Sequence, residues 1–341
     1  MVSKLLSSAP QRSAGRFLSA ALAVFALAAA APQASAQLLA SGDFYTPPAP
    51  LPPGKPGDII RSRAVMAQLF PEANVWQIMY RSSDVQKRPA AVTGALLVPK
   101  LPPVGVRPLV VVVPGTRGLG DQCAPSKQMN PLTYSTAVDY ENATYSRLLA
   151  NGVAVVITDY QGQGTPGLPP YLVGKPNGYA GLDALRAATR LADAGVSSAA
   201  PMGVMGYSQG GQSSGWAGEL QPSYASELDL RGVVAGGTPS DMNDLVNHLN
   251  GNPTAGAGFA IAAISGPEAP AYIFHGDIDE VVPYHLGVQL FYSWCSLGAT
   301  VVFEQLIGAE HVAGSQALAL GATTWMLDRL KGLPAPNGCG S

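Results

Sequence analysis

The sequence has little charge, few cysteines and few histidines. Charged residues are only 12% of the 341, and the formal net charge is −2. A chain so nearly neutral lacks the basic surface that a nucleic acid or an anionic membrane demands of its partner. Disorder is equally disfavoured, because it needs more charge and fewer apolar residues than the 47% present. The four histidines fall one to an element and no two show the spacing of zinc ligands, so no metal centre is expected. Only one long hydrophobic run exists, Phe17 to Ala31. It is too short and too alanine-rich for a stable membrane span. What the chain has in abundance is Gly (39) and Pro (30), the composition of a compact protein rich in turns.

The apolar run follows Lys4, Arg12 and Arg16 and precedes Ala34-Ser35-Ala36. This reads as a secretory signal peptide over residues 1–36, cleaved after Ala36. Cleavage removes three basic residues and no acid, leaving a formal charge of −5. A secreted, extracellular chain meets an oxidising compartment, so its three cysteines should give one disulfide and one thiol left over. Residues 37–74 are expected as an N-terminal arm. Six prolines lie between Thr46 and Pro56, which favours extended backbone over a core element. The rest, 75–341, is long enough for one large α/β domain.

Within that domain strand-like and helical patterns alternate. Val75–Arg81 and Ala90–Val98 read as an antiparallel pair at a sheet edge. Leu109–Val113, Val153–Thr158, Met202–Tyr207, Leu230–Ala235, Ala271–His275 and Thr300–Glu304 are apolar runs suited to strands buried on both faces. Helical patterns fall at 135–150, 181–194, 211–220, 284–297 and 315–330. The alternation predicts a mostly parallel central sheet with helices on both faces.

The residues Gly206-Tyr207-Ser208-Gln209-Gly210 directly follow one of these runs. G-x-S-x-G between a strand and a helix is the pattern of a nucleophile elbow. Small flanking residues let the chain turn sharply and hold the serine hydroxyl exposed. The elbow also presents the backbone N–H of the next residue, Gln209, as an oxyanion donor at a helix N-terminus. A second donor is expected from Pro114-Gly115-Thr116-Arg117-Gly118, with Thr116 and Arg117 the two candidates. Asp159 to Gly164, after the next strand, reads equally as a wall of the site or as a plain turn.

A serine nucleophile needs a base, and the base needs an acid to orient it. His311 is the candidate base because it sits in the loop between the last strand and the last helix, at the strands' carboxyl ends. His275 ends a strand and reads as a packing residue. His285 opens a helix and reads as structural, whereas His248 lies where it can line the site entrance. The turn Gly276-Asp277-Ile278-Asp279-Glu280 offers three carboxylates. Asp279 is favoured as the acid; Asp277 and Glu280 are expected to cap the turn or face solvent. The order Ser208, Asp279, His311 is that of the α/β-hydrolase fold.

These motifs resemble the secretory lipase family of the α/β hydrolases, the yeast lipase A type. The likeness runs from about Cys123 to Cys339. It rests on Cys123-Ala124-Pro125-Ser126, the elbow at 206–211, Gly236-Gly237-Thr238-Pro239, His275 to Tyr284, and Ala309-Glu310-His311. It implies an α/β-hydrolase fold and a carboxylic-ester hydrolase of the triacylglycerol lipase or carboxylesterase kind, with a small-molecule or lipid ester as substrate and no cofactor. It assigns nucleophile, acid and base to Ser208, Asp279 and His311, and pairs Cys295 with Cys339. The family carries a large helical cap. Here only about thirty residues separate Thr238 from Ala271, so a reduced cap over about 239–270 is expected. The same triad could instead serve an acyltransferase or a peptidase, and an extracellular binding protein on a dead scaffold is a reading from outside the enzymes. The sequence carries no signal for an oligomeric state.

Overall fold

The computed structural model describes residues 43–66, 68–118, 120–129, 140–242, 244–245 and 267–340. The expected signal peptide, the first residues of the arm, most of the expected cap and His248 lie outside them. Nine strands form one sheet among the described residues: β1 (Ile59–Val65), β2 (Ala73–Ser83), β3 (Pro89–Pro99), β4 (Leu109–Val113), β5 (Ala154–Gln161), β6 (Met202–Tyr207), β7 (Leu230–Gly236), β8 (Ala271–Gly276) and β9 (Val301–Leu306). Their spatial order is β1-β2-β3-β5-β4-β6-β7-β8-β9. From β5 to β9 every pairing is parallel, while β1, β2 and β3 run antiparallel.

The helices are α1 (Pro125–Gln128), α2 (Asn142–Ala150), α3 (Gly174–Arg190), α4 (Gln209–Tyr224), α5 (Tyr284–Ser296), α6 (His311–Ala317) and α7 (Thr323–Leu330), with one wide π turn at Leu318–Ala322. The parallel strands β4 to β8 are largely buried on both faces, which is why they read as unbroken apolar runs rather than alternating ones. β9, expected from the run at 300–304 to be buried on both faces, is instead the parallel edge of the sheet and is half-buried to exposed after Val301, because no further strand covers it. One face packs on Tyr145 and Leu148 of α2 and on Leu318, Trp325 and Met326 near the C-terminus. The other packs on Leu182, Leu185 and Ala188 of α3 and Ala217 of α4.

Three further features differ from the reading of the sequence. First, the sheet edge is β1, inside the segment expected as an extended arm. Its residues are half-buried to exposed, so they show no hydrophobic run and no clean alternation. Second, α3 begins at Gly174 rather than 181, despite glycines at 174 and 178. A Cβ on Gly174 would fall 1.8 Å from the Trp216 indole nitrogen, and one on Gly178 would fall 3.0 Å from the Trp216 backbone. Close approach of α3 and α4 requires those glycines and outweighs their poor helix propensity. Third, the helix expected from Ser315 begins at His311, so the base lies on the first turn of a helix.

Cys295 on α5 and Cys339 in the C-terminal tail form a disulfide 44 residues apart, as the family resemblance implied, and Cys123 is a half-buried free thiol. The tail also docks through the Gly338 N–H to the Val301 carbonyl at 2.8 Å. Closing a loop of this size restricts the unfolded chain by about 4 kcal/mol in the chain-entropy model. Cys339→Ser is therefore expected to lower unfolding free energy by up to that amount in urea titrations. A variant within about 0.5 kcal/mol of the parent would mean that the tail is held without the bond.

Candidate active site

The carboxyl ends of the parallel strands define one edge of the sheet, and the motif residues gather there. β4 lies between β5 and β6, so chain order reverses at β4 and leaves a crevice above it, where doubly wound sheets place their sites. Ser208 follows β6 with φ 58° and ψ −121°, a conformation costly for a residue with a side chain. The chain can fold so sharply only because its neighbours lack side chains. A Cβ on Gly206 would meet the carbonyl oxygens of Gly210 and Val113 at 2.5 Å, and one on Gly210 would meet the Val113 carbonyl at 2.2 Å. The glycines of the pattern are thus set by backbone closeness between the elbow and β4.

His311 Nε2 lies 3.0 Å from Ser208 Oγ, and His311 Nδ1 lies 2.7 Å from Asp279 Oδ2. Asp279 is 6% exposed, and its other oxygen accepts the backbone N–H groups of Val281 and Val282 at 3.0 and 2.7 Å. Burial pushes this carboxyl up, but hydrogen bonds from His275 and His311, the charge on His311 and the Val282 N–H outweigh it. The carboxyl is held well below the usual carboxylate range. Asp277 accepts the Gly308 N–H at 2.6 Å and a Gln305 amide hydrogen at 3.1 Å. Glu280 accepts the His311 backbone N–H at 3.0 Å. These two acids tie the β8 turn to the β9 turn and leave the ring of His311 to Asp279.

His275, read as a packing residue, is fully buried, but the sequence did not show what it packs against. Its Nε2 lies 2.9 Å from the Val282 carbonyl and 3.4 Å from Asp279 Oδ2. The signal was its place at the end of β8, four residues before Asp279 in a tight turn. His285 pairs with Asp244 at the surface. Of the two candidates after β4, Thr116 lines the cavity beside Ser208, its hydroxyl 2.7 Å from Tyr171 Oη and 3.4 Å from Gln209 Oε1. The Arg117 side chain turns away and forms a buried ion pair with Glu141, whose other oxygen accepts the Gly115 N–H at 2.8 Å. That pair fixes the loop. Asp159, read as the start of a loop, lies within β5, and its buried carboxylate accepts the Ser126 N–H at 2.8 Å and the Thr93 hydroxyl at 2.7 Å.

A cavity of about 350 Å³ opens over Ser208 and His311. Its walls are mostly apolar, including Leu172, Met242, Leu245, Val281 and Val282, with the tyrosines at 140, 171 and 207. An apolar chamber with a few convergent polar groups suits a ligand that is greasy at one end and reactive at the other. Among the described residues no three His, Cys, Asp or Glu side chains are grouped to hold a metal ion.

Because the Asp279 carboxyl is lower in the folded chain than in the unfolded one, its stabilisation is complete above the unfolded value of about 3.9. It is lost as pH falls below that value. Asp279→Asn is therefore expected to lose stability less steeply than the parent between about pH 4 and pH 2, read as urea midpoints across pH. Two parallel curves would show that the carboxylate is not held in this way.

The family model described as secretory lipase matches residues 127–266 and 259–338. A secreted triacylglycerol lipase of Malassezia restricta is 25% identical over 384 residues, spanning 86% of this chain and 80% of its own. A Mycobacterium tuberculosis protein named a probable inactive lipase is 34% identical over 229 residues, 64% of this chain and 50% of its own. Among solved structures, Candida antarctica lipase A in its closed state superposes with a TM-score of 0.74 at 21% identity, covering 88% of each chain, and this likeness carries the fold. The matched family segments contain Ser208, Asp279 and His311 and extend over more than half of the sequence, so the chain belongs to the secretory lipase family.

Proposed function

We propose that this protein is a secreted carboxylic-ester hydrolase that works through a covalent acyl-enzyme on Ser208. The observation that carries the reading is the continuous hydrogen-bonded chain from Ser208 Oγ through His311 to Asp279 Oδ2, at the floor of an apolar cavity. Ser208 attacks the ester carbonyl while His311 Nε2 takes its proton. Asp279 accepts the Nδ1 hydrogen, which fixes the tautomer and stabilises the imidazolium as it forms. The negative charge on the tetrahedral oxygen falls to the Gln209 N–H and, of the two candidates after β4, to that of Thr116, because Thr116 borders the cavity. His311 returns the proton to the leaving alcohol, and water then repeats the sequence on the acyl-enzyme. The relatives named as secreted triacylglycerol lipases support an extracellular ester hydrolase, and the basic, apolar and small-residue pattern of residues 1–36 supports a signal peptide there. Among the described residues no helix is long and apolar enough to cross a membrane.

Ser208→Ala is expected to lower kcat on p-nitrophenyl esters by a factor on the order of 10⁶ with the fold intact. Asp279→Asn is expected to lose roughly 10⁴ and Asp277→Asn only a few-fold, since Asp277 holds a turn and not the base. Similar losses at the two aspartates would sink the choice of acid. A Ser208→Ala protein that still hydrolyses esters, or a parent that a serine-directed phosphonate leaves unlabelled, would favour a scaffold used for binding.

The chamber volume also bears on the acyl group. A methylene that finds no wall gains less than the roughly 0.8 kcal/mol of full burial. kcat/KM is therefore expected to rise with chain length among short to medium acyl esters and then level off. A steady rise through oleoyl esters, or a jump in rate at the substrate's solubility limit, would show that further wall or a lid covers the chamber.

A further inference from the structure

Asp279 Oδ2 lies between two histidines. One is His311; the other, His275 at the end of β8, does not line the cavity and has no exposed surface. Both oxygens near its Nε2, the Val282 carbonyl at 2.9 Å and Asp279 Oδ2 at 3.4 Å, can only accept a hydrogen bond. Nε2 must therefore carry the hydrogen. Nδ1 is buried and has no hydrogen-bond partner among the described residues. A cationic ring would leave an N–H there without an acceptor, so the ring is the neutral Nε2–H tautomer. The space beside Nδ1 is kept by Gly287 on α5, where a Cβ would lie only 2.4 Å from that nitrogen. Alanine is otherwise the better helix former, so this glycine costs the helix stability and leaves the ring its position.

We propose that His275 is a positioning residue for the reaction: its Nε2–H, shared between the Val282 carbonyl and Asp279 Oδ2, fixes the carboxylate on the line that receives His311 Nδ1. This rests on the Ser208–His311–Asp279 reading given above. Asp279 Oδ1 then accepts two backbone N–H groups, and Oδ2 faces both rings, 2.7 Å from His311 Nδ1 and 3.4 Å from His275 Nε2. A carboxylate held by a single ring and a turn can rotate about its last torsion, and the His311 ring would follow it. The second ring also draws charge from Oδ2, so its loss leaves more negative charge facing the imidazolium that forms during the reaction. The other titratable groups facing this chain are Tyr207 from β6, Glu280 and Asp277 from the same turn, Glu310 beside His311, and Tyr284 from α5, whose ring meets His275 edge-on at 6.0 Å. No Lys or Arg is among them, so none of these described groups can replace the donor with a cation.

The test uses the full-length secreted chain and p-nitrophenyl butyrate. His275→Phe keeps the ring's bulk and removes the donor. It is expected to lower kcat by a factor on the order of 10 to 100 with KM within twofold, and to move the acid limb of kcat/KM to higher pH. His275→Gln can place an amide N–H near the lost Nε2–H and is expected to recover most of kcat. Gly287→Ala, which touches neither Ser208 nor His311, is expected to lower kcat by pushing the ring aside. On the parent protein, ¹⁵N NMR of His275 is expected to show the neutral Nε2–H tautomer at pH 7. That measurement decides the matter even if His275→Phe does not fold: an Nδ1–H tautomer overturns the proposal. A folded His275→Phe enzyme with parental kcat and pH limb overturns it too, as does a folded His275→Gln enzyme no better than His275→Phe. With Ser208→Ala inactive, those outcomes remove the role of His275 alone. If Ser208→Ala stays active, the triad reading falls and the proposal falls with it.

Discussion

A single ionised carboxylate, buried under the carboxyl edge of the sheet, sets the terms for everything around it. An isolated charge at that depth is untenable, so Asp279 needs donors on both oxygens. Two come from the Val281 and Val282 backbone, which forces the turn after β8 to curl back over the side chain. The others come from rings on β8 and on the first turn of α6, which ties the last two parallel strands together above the sheet. The turn, the position of His311 and the burial of His275 are all consequences of satisfying this one group.

The elbow imposes the complementary constraint from the middle of the sheet. Ser208 sits in a strained conformation because the chain reverses from β6 into α4 against the end of β4, with no room for a side chain at Gly206 or Gly210. Strain of this kind persists only where the surroundings over-determine it. Here the Ser208 N–H is held to the Gly236 carbonyl of β7 at 2.8 Å, and β4 and the end of β7 beside it are buried. A rigid central strand thus aims the hydroxyl at a histidine whose own position is set two strands further along the sheet.

Away from the site, the opposite end of the sheet uses buried polar groups for register. Asp183 on α3 accepts from Ser82 on β2 at 2.8 Å, from Tyr224 on α4 at 2.9 Å and from Arg186 at 2.9 Å, while Arg186 also reaches Glu227 at 2.6 Å. Burial raises the Asp183 carboxyl to about 6 against the lowering effect of these donors. Such a network adds little net stability, but it joins two helices to the antiparallel part of the sheet through directional contacts. Asp159 does the same for the start of α1, drawing the Ser126 N–H and the Thr93 hydroxyl toward β5. The loop after β5 is therefore anchored from beneath.

Much of this was legible in the sequence, because it depends on local pattern. Parallel strands buried on both faces must be apolar on both, so β4 to β8 appear as runs such as Leu109–Val113. An elbow needs small residues around its serine, so Gly206, Ser208 and Gly210 announce it. Chain order then places an acid and a histidine in the loops after later strands. What depends on contacts between distant segments was not legible. The edge strand Ile59–Val65 has no buried face to pattern it, and α3 carries glycines that only its crossing with Trp216 explains. Thr116 and Arg117 are neighbours with equal claims in the sequence; only the fold shows that the Thr116 side chain borders the cavity while the Arg117 side chain pairs with Glu141, some two dozen residues on. His275 looked like core filler, since a histidine at the end of a strand shows nothing of what it will face. Sequence determined which residues could do chemistry and on which edge of the sheet they would lie. Tertiary structure decided which carboxylate the histidines share, because a buried charge selects its partners by distance and geometry across strands that the chain order leaves far apart.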